Sequence, residues 1–585
     1  MTIDISAAPF NLTGEQQSWV YGTLEKLSVD ERIGQIFCAS TYALSKGVIE
    51  TMADEFKVGG LMIRPLALKN LQHDIAALQR KSAIPMLIAA NLEKGGDGAI
   101  DEGTYFANPM GCAATGDPEC AYRLGKVANR EGAAVGANWN FAPIVDIDRN
   151  FRNPITNIRT YGDDPARVLT FSREFIRAAT EEGMTCTIKH FPGDGVDERD
   201  QHLLVSVNDL SQDEWEKSYG MVYRGLISDG AKTLMVGHIA QPALARAVDP
   251  DAPAADAYLP ASQSPLIMNG YLRKEMGYNG LIVTDSTLMV GYMQSMPRRV
   301  AVPHSVACGA DMILFNKSLA EDFTYMKQGI ADGILSIERL DEAVTRVLAL
   351  KASMGLVEKQ REGTLVPRGD AQAVINSSET RTWARDVANR AVALVKDPKN
   401  ILPLSPHKTP RIYLNVIETH VSNKSPFAQD MKARLEREGF KVTLRRRKVT
   451  FNVAEGIRGI ARPSFVRIMR EVYSDTHSFI SKYDLALVVL NMETESNNTV
   501  VRINWQVFFG LGHDIPWYAG EMPLVAVSFA NPYHLIDLPM ADAYVNAYSN
   551  NEVTRDAVFE KLMGRSEFRG TSPIDPFCGH VDCGM

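Results

Sequence analysis

MTCTIKHF, residues 184–191, is a run of β-forming residues that stops abruptly on a lysine and a histidine. An apolar run without polar alternation suits a strand buried on both faces, which calls for a parallel sheet covered by helices. The pattern recurs through residue 350, as IGQIF from 33, GGLMIR from 59, PMLIAAN from 85 and NWNFAPIVD from 138. It continues as TLMVGHI from 233, GLIVTDS from 280 and MILFN from 312. Amphipathic stretches such as ARVLTFSREFIRAATEEG and SPLIMNGYLRKEMG separate them as helices. Eight such units over ~300 residues fit a (β/α)₈ barrel better than an open sheet.

The fold class is therefore α/β: an N-terminal (β/α)₈ TIM-like barrel over residues 1–355, then a C-terminal α/β/α sandwich domain over 379–585. Residues 356–378, polar and broken by Gly and Pro, read as a linker. TRTWARDVANRAVALVK opens the second domain as a helix, and RIYLNVI, KVTL, DLALVVLNM, LVAVSF and DAYVNAY follow as strands. A chain of 585 residues exceeds one ordinary core, in keeping with two domains.

A net charge of -8 argues against nucleic acid or an anionic membrane as partner, and RRRK at 445–448 reads as a solvated strand end. No window approaches the ~18 to 20 apolar residues of a membrane span. The N-terminus lacks the regions of a secretory signal, and seven scattered cysteines make no disulfide framework, so a cytoplasmic setting is expected. Cys578 and Cys583 lack the further ligands of a zinc site. The run Asp194, Asp197, Glu198, Asp200 does not have calcium-loop spacing, so neither metal nor cofactor is expected. The composition leaves monomer or homodimer open.

Polar residues fall at one end of the strands: Asn91, Asp146, Lys189, His190, His238 and Asp285. In a barrel those carboxyl ends gather on one face, where loops build the active site. Asp285 follows a buried strand and suits a rigid nucleophile. After Lys189-His190 comes FPGDGVDERDQHL, in which Asp200 and His202 stand two apart and point the same way in an extended loop. A carboxylate bonded to imidazole prepares the ring to give and retrieve a proton. A carboxylate nucleophile and a proton donor at one rim suggest retaining glycoside chemistry. His238 reads equally as a packed strand-end histidine or a substrate contact, and Asp146 as an anchor for the next loop.

Over nearly its whole length the chain resembles glycoside hydrolase family 3, in particular its bacterial β-N-acetylglucosaminidase branch. NWNFAPIVDIDRNFRNP, IRTYGDDPARV, KHFPGDG with DQH, LMVGHIAQPAL, PASQSPLIMNGYLRKEMGYNGLIVTDS and ACGADMILF stand in the family's order, and NPYHLIDLPMADAYVNAYSNN resembles its C-terminal domain. The resemblance implies that Asp285 is the nucleophile, Asp200 and His202 the acid/base dyad, and Arg159, Lys189 and His190 donors to the sugar hydroxyls.

Two departures stand out. NLEKGGDG carries Asn91 in place of the family's aspartate, with Lys94 inserted, and PGDG carries Asp194 in place of a histidine. Asparagine keeps an acceptor but loses the charge, so Asn91 would grip hydroxyls about half as strongly. Asp194 adds negative charge beside the loop and would raise the pKa of His202.

The expected activity is a retaining exo-β-glycosidase releasing N-acetylglucosamine from cell-wall-derived sugars. The alternatives are a β-glucosidase or phosphorylase of the same fold, or a non-catalytic sugar-binding protein. Glu493 and Glu495, just past a strand of the second domain, are the reserve proton donors.

Overall fold

The computed structural model describes residues 3–419, 425–445 and 475–585, apart from 494, 495, 498, 500, 504, 506, 509, 510, 513 and 514. It divides into two compact units, the first comprising 1–113, 117–384 and the short segment 495–499, the second 114–116, 385–494 and 500–585.

In the first unit eight parallel strands run β1 (Phe37–Thr41), β2 (Gly60–Ile63), β3 (Leu87–Ala90), β4 (Trp139–Asn140), β5 (Thr185–Phe191), β6 (Thr233–Val236), β7 (Leu281–Thr284) and β8 (Ile313–Leu314). They pair in chain order, β8 pairs with β1, and a Val283–Met312 bridge joins β7 to the start of β8, closing a (β/α)₈ barrel. Every residue of β2, β3, β5, β6 and β7 is buried, as strands covered on both faces must be. The helix Pro165–Glu181 starts where Asp164 accepts from the Ala166 amide, with Pro165 at its first position. It packs Val168, Phe171, Phe175 and Ala178 inward.

The first strand starts later than IGQIF implies. Ser28 and Glu31 form a reciprocal capping box that carries Val29–Gln35 into a helix, and β1 begins only at Phe37. Residues 356–378, read as a linker, contain a helix at Leu356–Glu362 between two left-handed glycines, with Leu356 and Val357 buried. That stretch lies within the first unit, whose long segment runs to Ala384.

The second unit is an α/β/α sandwich. Its sheet runs β9–β14–β13–β12–β10–β11, where β9 is Ala393–Lys396, β10 Arg411–Glu418, β11 Lys441–Leu444, β12 Leu485–Asn491, β13 Leu524–Ser528 and β14 Ala543–Asn546. All pairs are parallel except β9 with β14. Alternate residues of β12 feed two cores. Leu485, Leu487 and Val489 pack with Met431, Leu435 and Val558, while Ala486, Val488 and Leu490 pack with Phe479, Tyr518 and Leu535. The helix expected through VALVK ends at Ala391, and the β-branched stretch after it becomes the edge strand β9. Of the RRRK cluster, Arg445 bonds Asn415 at 3.3 Å, and 446–448 lie outside the described residues.

Candidate active site

Side chains carried at or just past five barrel strands, β3 to β7, converge at the carboxyl end of the sheet. Asp285 sits one residue past β7, its amide held by the Val236 carbonyl at 2.8 Å. Oδ1 accepts from the Ser286 amide at 2.7 Å, whereas Oδ2 is buried with no hydrogen-bond partner. A buried, unsatisfied carboxylate oxygen is costly and marks a position kept for something else. His190 Nε2 stands 3.8 Å from that oxygen. The rim that carries Lys189-His190 is thus the rim that carries Asp285.

His190 is fixed from behind. Its Nδ1 meets Asp146 Oδ2 at 2.7 Å, and its amide donates to Asp146 Oδ1 at 3.1 Å. Asp146, fully buried, therefore anchors the β5 exit.

Lys189 and Arg159 meet on one anion, Glu93. Lys189 Nζ donates to Glu93 Oε1 at 2.8 Å, and Arg159 grips both carboxylate oxygens at 2.9 and 3.0 Å. Burial pushes Glu93 up, but the two cations outweigh it and hold its carboxyl far below the usual range. Glu93 was not among the residues singled out in the sequence, although two cations at a buried rim require an anion between them. Gly95 lets this turn close: at φ 152°, a side chain there would strike the Thr104 carbonyl. Lys94, the insertion, turns instead to Asp97 at 3.5 Å and lies over the Tyr105 ring. Asn91 sits half-buried at the exit of β3.

On the loop after β5, Asp200 Oδ1 accepts from both His202 Nδ1 at 2.7 Å and the His202 amide at 2.8 Å. Its Oδ2 accepts from the Asn497 amide at 2.6 Å, a partner from the 495–499 segment of the same unit. The Asp200 side chain is thereby sealed, while that of His202 stays 25% exposed. The Val290 amide donates to the His202 carbonyl at 2.9 Å, tying this loop to the one that carries Asp285.

Burial pushes the Asp285 carboxyl up, but the charges of His190, His238 and His202 bring it below the ordinary aspartate value. His238 is fully buried, with Nδ1 on Ser262 at 2.8 Å and Nε2 on the Ser286 carbonyl at 2.9 Å. Burial lowers its pKa against the pull of Asp285, and because the Ser286 carbonyl can only accept, Nε2 is the donor in that bond. Both of its nitrogens are committed to protein, which makes it a buttress for the Asp285–Ser286 turn. Asp194 turns toward Asn153, Gly195 and Gln201. Glu493 follows β12 in the second unit, and Glu495 lies outside the described residues.

Among the described residues no cluster of histidine, cysteine and carboxylate side chains is arranged to hold a metal. No helix among them is long and apolar enough to cross a membrane.

The family description Glycosyl hydrolase family 3 N terminal domain matches residues 28–350. A beta-N-acetylglucosaminidase/beta-glucosidase of Cellulomonas fimi is 41% identical, over 99% of both chains. Among solved structures, a beta-glucoside phosphorylase, BglX, superposes with a TM-score of 0.90 at 42% identity, covering 99% of each chain. A beta-N-acetylglucosaminidase from Paenibacillus superposes at 0.75 with 22% identity, over 94% of this chain and 99% of that one, and shares the fold.

Proposed function

The chain belongs to glycosyl hydrolase family 3, and from that premise we propose a retaining exo-β-glycosidase that works through a covalent glycosyl-enzyme. One observation carries the reading: a buried carboxylate oxygen, Asp285 Oδ2, has no partner of its own and faces a histidine 3.8 Å away. Asp285 Oδ2 attacks the anomeric carbon while His202, oriented through Nδ1 by Asp200, gives its Nε2 proton to the departing oxygen. In the second step His202 recovers a proton from the incoming water, which opens the ester to Asp285. His190 lies close enough to Asp285 to donate to a hydroxyl on the reacting ring. Arg159 and Lys189, preset by Glu93, offer charged donors whose bonds strengthen as the ring gains positive charge. Asn91 has an acceptor oxygen for a more distant hydroxyl.

The substrate is a small β-glycoside bearing terminal N-acetylglucosamine or glucose, the two sugars in the name of the Cellulomonas fimi relative. Cell-wall fragments are the natural source of the first. Seven thiols, none in a disulfide, support work in a reducing, cytoplasmic compartment. The test is turnover of aryl β-N-acetylglucosaminides and aryl β-glucosides, with Asp285→Ala as control. A 2-fluoro sugar should label Asp285 in the wild type, and equal turnover by the two proteins would remove Asp285 from the mechanism.

A second reading, phosphorolysis, is favoured by the 42% identical beta-glucoside phosphorylase. An imidazole that has given up its proton carries no negative charge, so it does not repel an incoming phosphate as a carboxylate would. A rate that rises with phosphate concentration and a sugar 1-phosphate product would establish it. A phosphate-independent rate would leave hydrolysis.

A further inference from the structure

Among the ties between the dyad loop and the barrel, one runs through the residue between Asp200 and His202, Gln201. Gln201 is fully buried, and both ends of its amide are used. Its Oε1 accepts from the His238 amide at 2.8 Å, and its Nε2 donates to Asp194 Oδ2 at 3.2 Å. The first bond fixes the orientation of the second: a backbone N–H can only donate, so the NH₂ end must face Asp194. Asp194 in turn must accept on both oxygens, because its Oδ1 already takes the Gly195 amide at 2.8 Å and Asn153 Nδ2 at 2.9 Å. Asn153 also donates to the Asp197 carbonyl at 2.8 Å, farther along the same loop. The Asp194 backbone is pinned as well, its amide on Asp146 Oδ1 at 2.8 Å and its carbonyl under the Tyr219 hydroxyl at 2.6 Å.

We propose that Asp194 is a positioning residue for the acid/base dyad: its ionised carboxylate fixes Gln201, and Gln201 sets the backbone from which Asp200 and His202 project. The inference rests on the reading of Asp200 and His202 as that dyad. Only a group that accepts at two oxygens satisfies the site. A protonated aspartate, or an asparagine, would aim a hydrogen at the Gln201 NH₂ and open the latch. The groups around Asp194 favour protonation in mild acid. Burial and the negative charge of Asp146 push its carboxyl up to about 6, against the opposing pull of His190, Gly195 and Asn153. Tyr219 and Tyr223, on the helical segment packed over the loop, are held neutral by burial. Asp148 and Arg149 face Tyr219 with opposite charges.

The test compares a methyl glycoside, whose leaving group needs a proton, with a 2,4-dinitrophenyl glycoside of the same sugar, whose leaving group does not. Asp194→Asn should lower kcat/KM for the methyl glycoside about tenfold or more and for the dinitrophenyl glycoside less than about twofold, since general acid catalysis contributes 10²–10⁴-fold. Adding Gln201→Glu should restore the methyl glycoside rate, because the pair then bonds with donor and acceptor exchanged. Equal losses on both substrates, no loss, or no rescue would overturn the proposal. Should Asp194→Asn not fold, Gln201→Met carries the same two-substrate comparison, and equal losses or no loss would again overturn the proposal. The wild type supplies an independent readout. The ratio of methyl to dinitrophenyl rates should fall as the pH drops through about 6. The dyad alone predicts the opposite, a ratio that rises or levels as the imidazole gains its proton. A rising or flat ratio overturns the latch. A His202→Ala variant that loses both substrates equally overturns the dyad and the latch together.

Discussion

Asp285 and Asp311 are buried carboxylates at opposite ends of the same two neighbouring strands, one just after β7 and the other just before β8. Both are held below the ordinary aspartate value, against burial, by surrounding positive charge. They differ in how they are satisfied. Asp311 takes Arg273 at 2.5 Å and the Ile282 amide at 2.8 Å on Oδ2, then Arg339 at 2.8 Å and Arg346 at 3.2 Å on Oδ1. Asp285 takes one amide on Oδ1 and leaves Oδ2 bare. A charge saturated by directional bonds is a structural clamp. A charge made anionic by its field but left without a bond can still form one. In a barrel the two ends divide those tasks, stability at the amino ends of the strands and chemistry at the carboxyl ends.

The sharpest way to break this contrast is to remove each carboxylate. Asp285→Ala should lower kcat by about a thousandfold or more, as expected for loss of a covalent nucleophile, with the melting temperature changed far less than by Asp311→Ala. Asp311→Ala should do the reverse. It strands three arginines and should destabilise by about 3–5 kcal/mol, read by thermal or urea melting, while kcat per folded molecule changes little. If Asp311→Ala abolishes turnover in protein that is still folded, the division between the ends fails.

His202→Ala sharpens the comparison next. A sealed Asp200 beside a partly exposed imidazole predicts a loss of about 10²-fold or more with poor leaving groups and little with dinitrophenol. A uniform loss would make the pair a loop clamp of the Asp311 kind.

Glu93 lies between the two types, because it is saturated like Asp311 yet holds two side chains aimed at the site. Glu93→Gln keeps the shape and removes the charge, so it should raise KM and lower kcat/KM by about tenfold, with a smaller loss of stability than Asp311→Ala. Steady-state kinetics and melting on the same sample would decide which character dominates.

Much of this architecture was legible in the chain. Near-continuous apolar runs such as LIVT and LIAA have one use in a soluble α/β protein, a parallel sheet covered on both sides, and the residues that end them were correctly read as one rim. Asp200 and His202 were legible because the pair is local. What escaped depended on contacts made at a distance or on a capping choice. IGQIF has the composition of a strand, but Ser28 and Glu31 cap a helix across it. Glu93 is an ordinary acid until Arg159 and Lys189, 66 and 96 positions away, close on it. Asn497 bonds Asp200 from 297 positions away through a backbone amide, for which side-chain identity gives no signal. His238 stood in doubt between packing and contact, and its two protein bonds supply what its position alone lacked.

The smallest expected effect concerns the field that makes the bare oxygen usable. The native pKa of Asp285 lies below its unfolded value, so its ionised form adds stability that is complete above about pH 4 and lost as the pH falls through the native pKa. The free-enzyme pH profile of kcat/KM for a dinitrophenyl glycoside, which needs no acid catalyst, should therefore have an acid limb below the ordinary aspartate range. After burial, His190 is the largest influence on this carboxyl, and it acts by lowering the pKa. His190→Asn should move the acid limb upward, in addition to any loss of sugar binding. The matching change at the other end, Arg346→Gln beside Asp311, should leave that limb in place and shift only the acid midpoint of unfolding. If the limb moves for both variants, the two carboxylates share one field, and the bare oxygen of Asp285 is not what sets them apart.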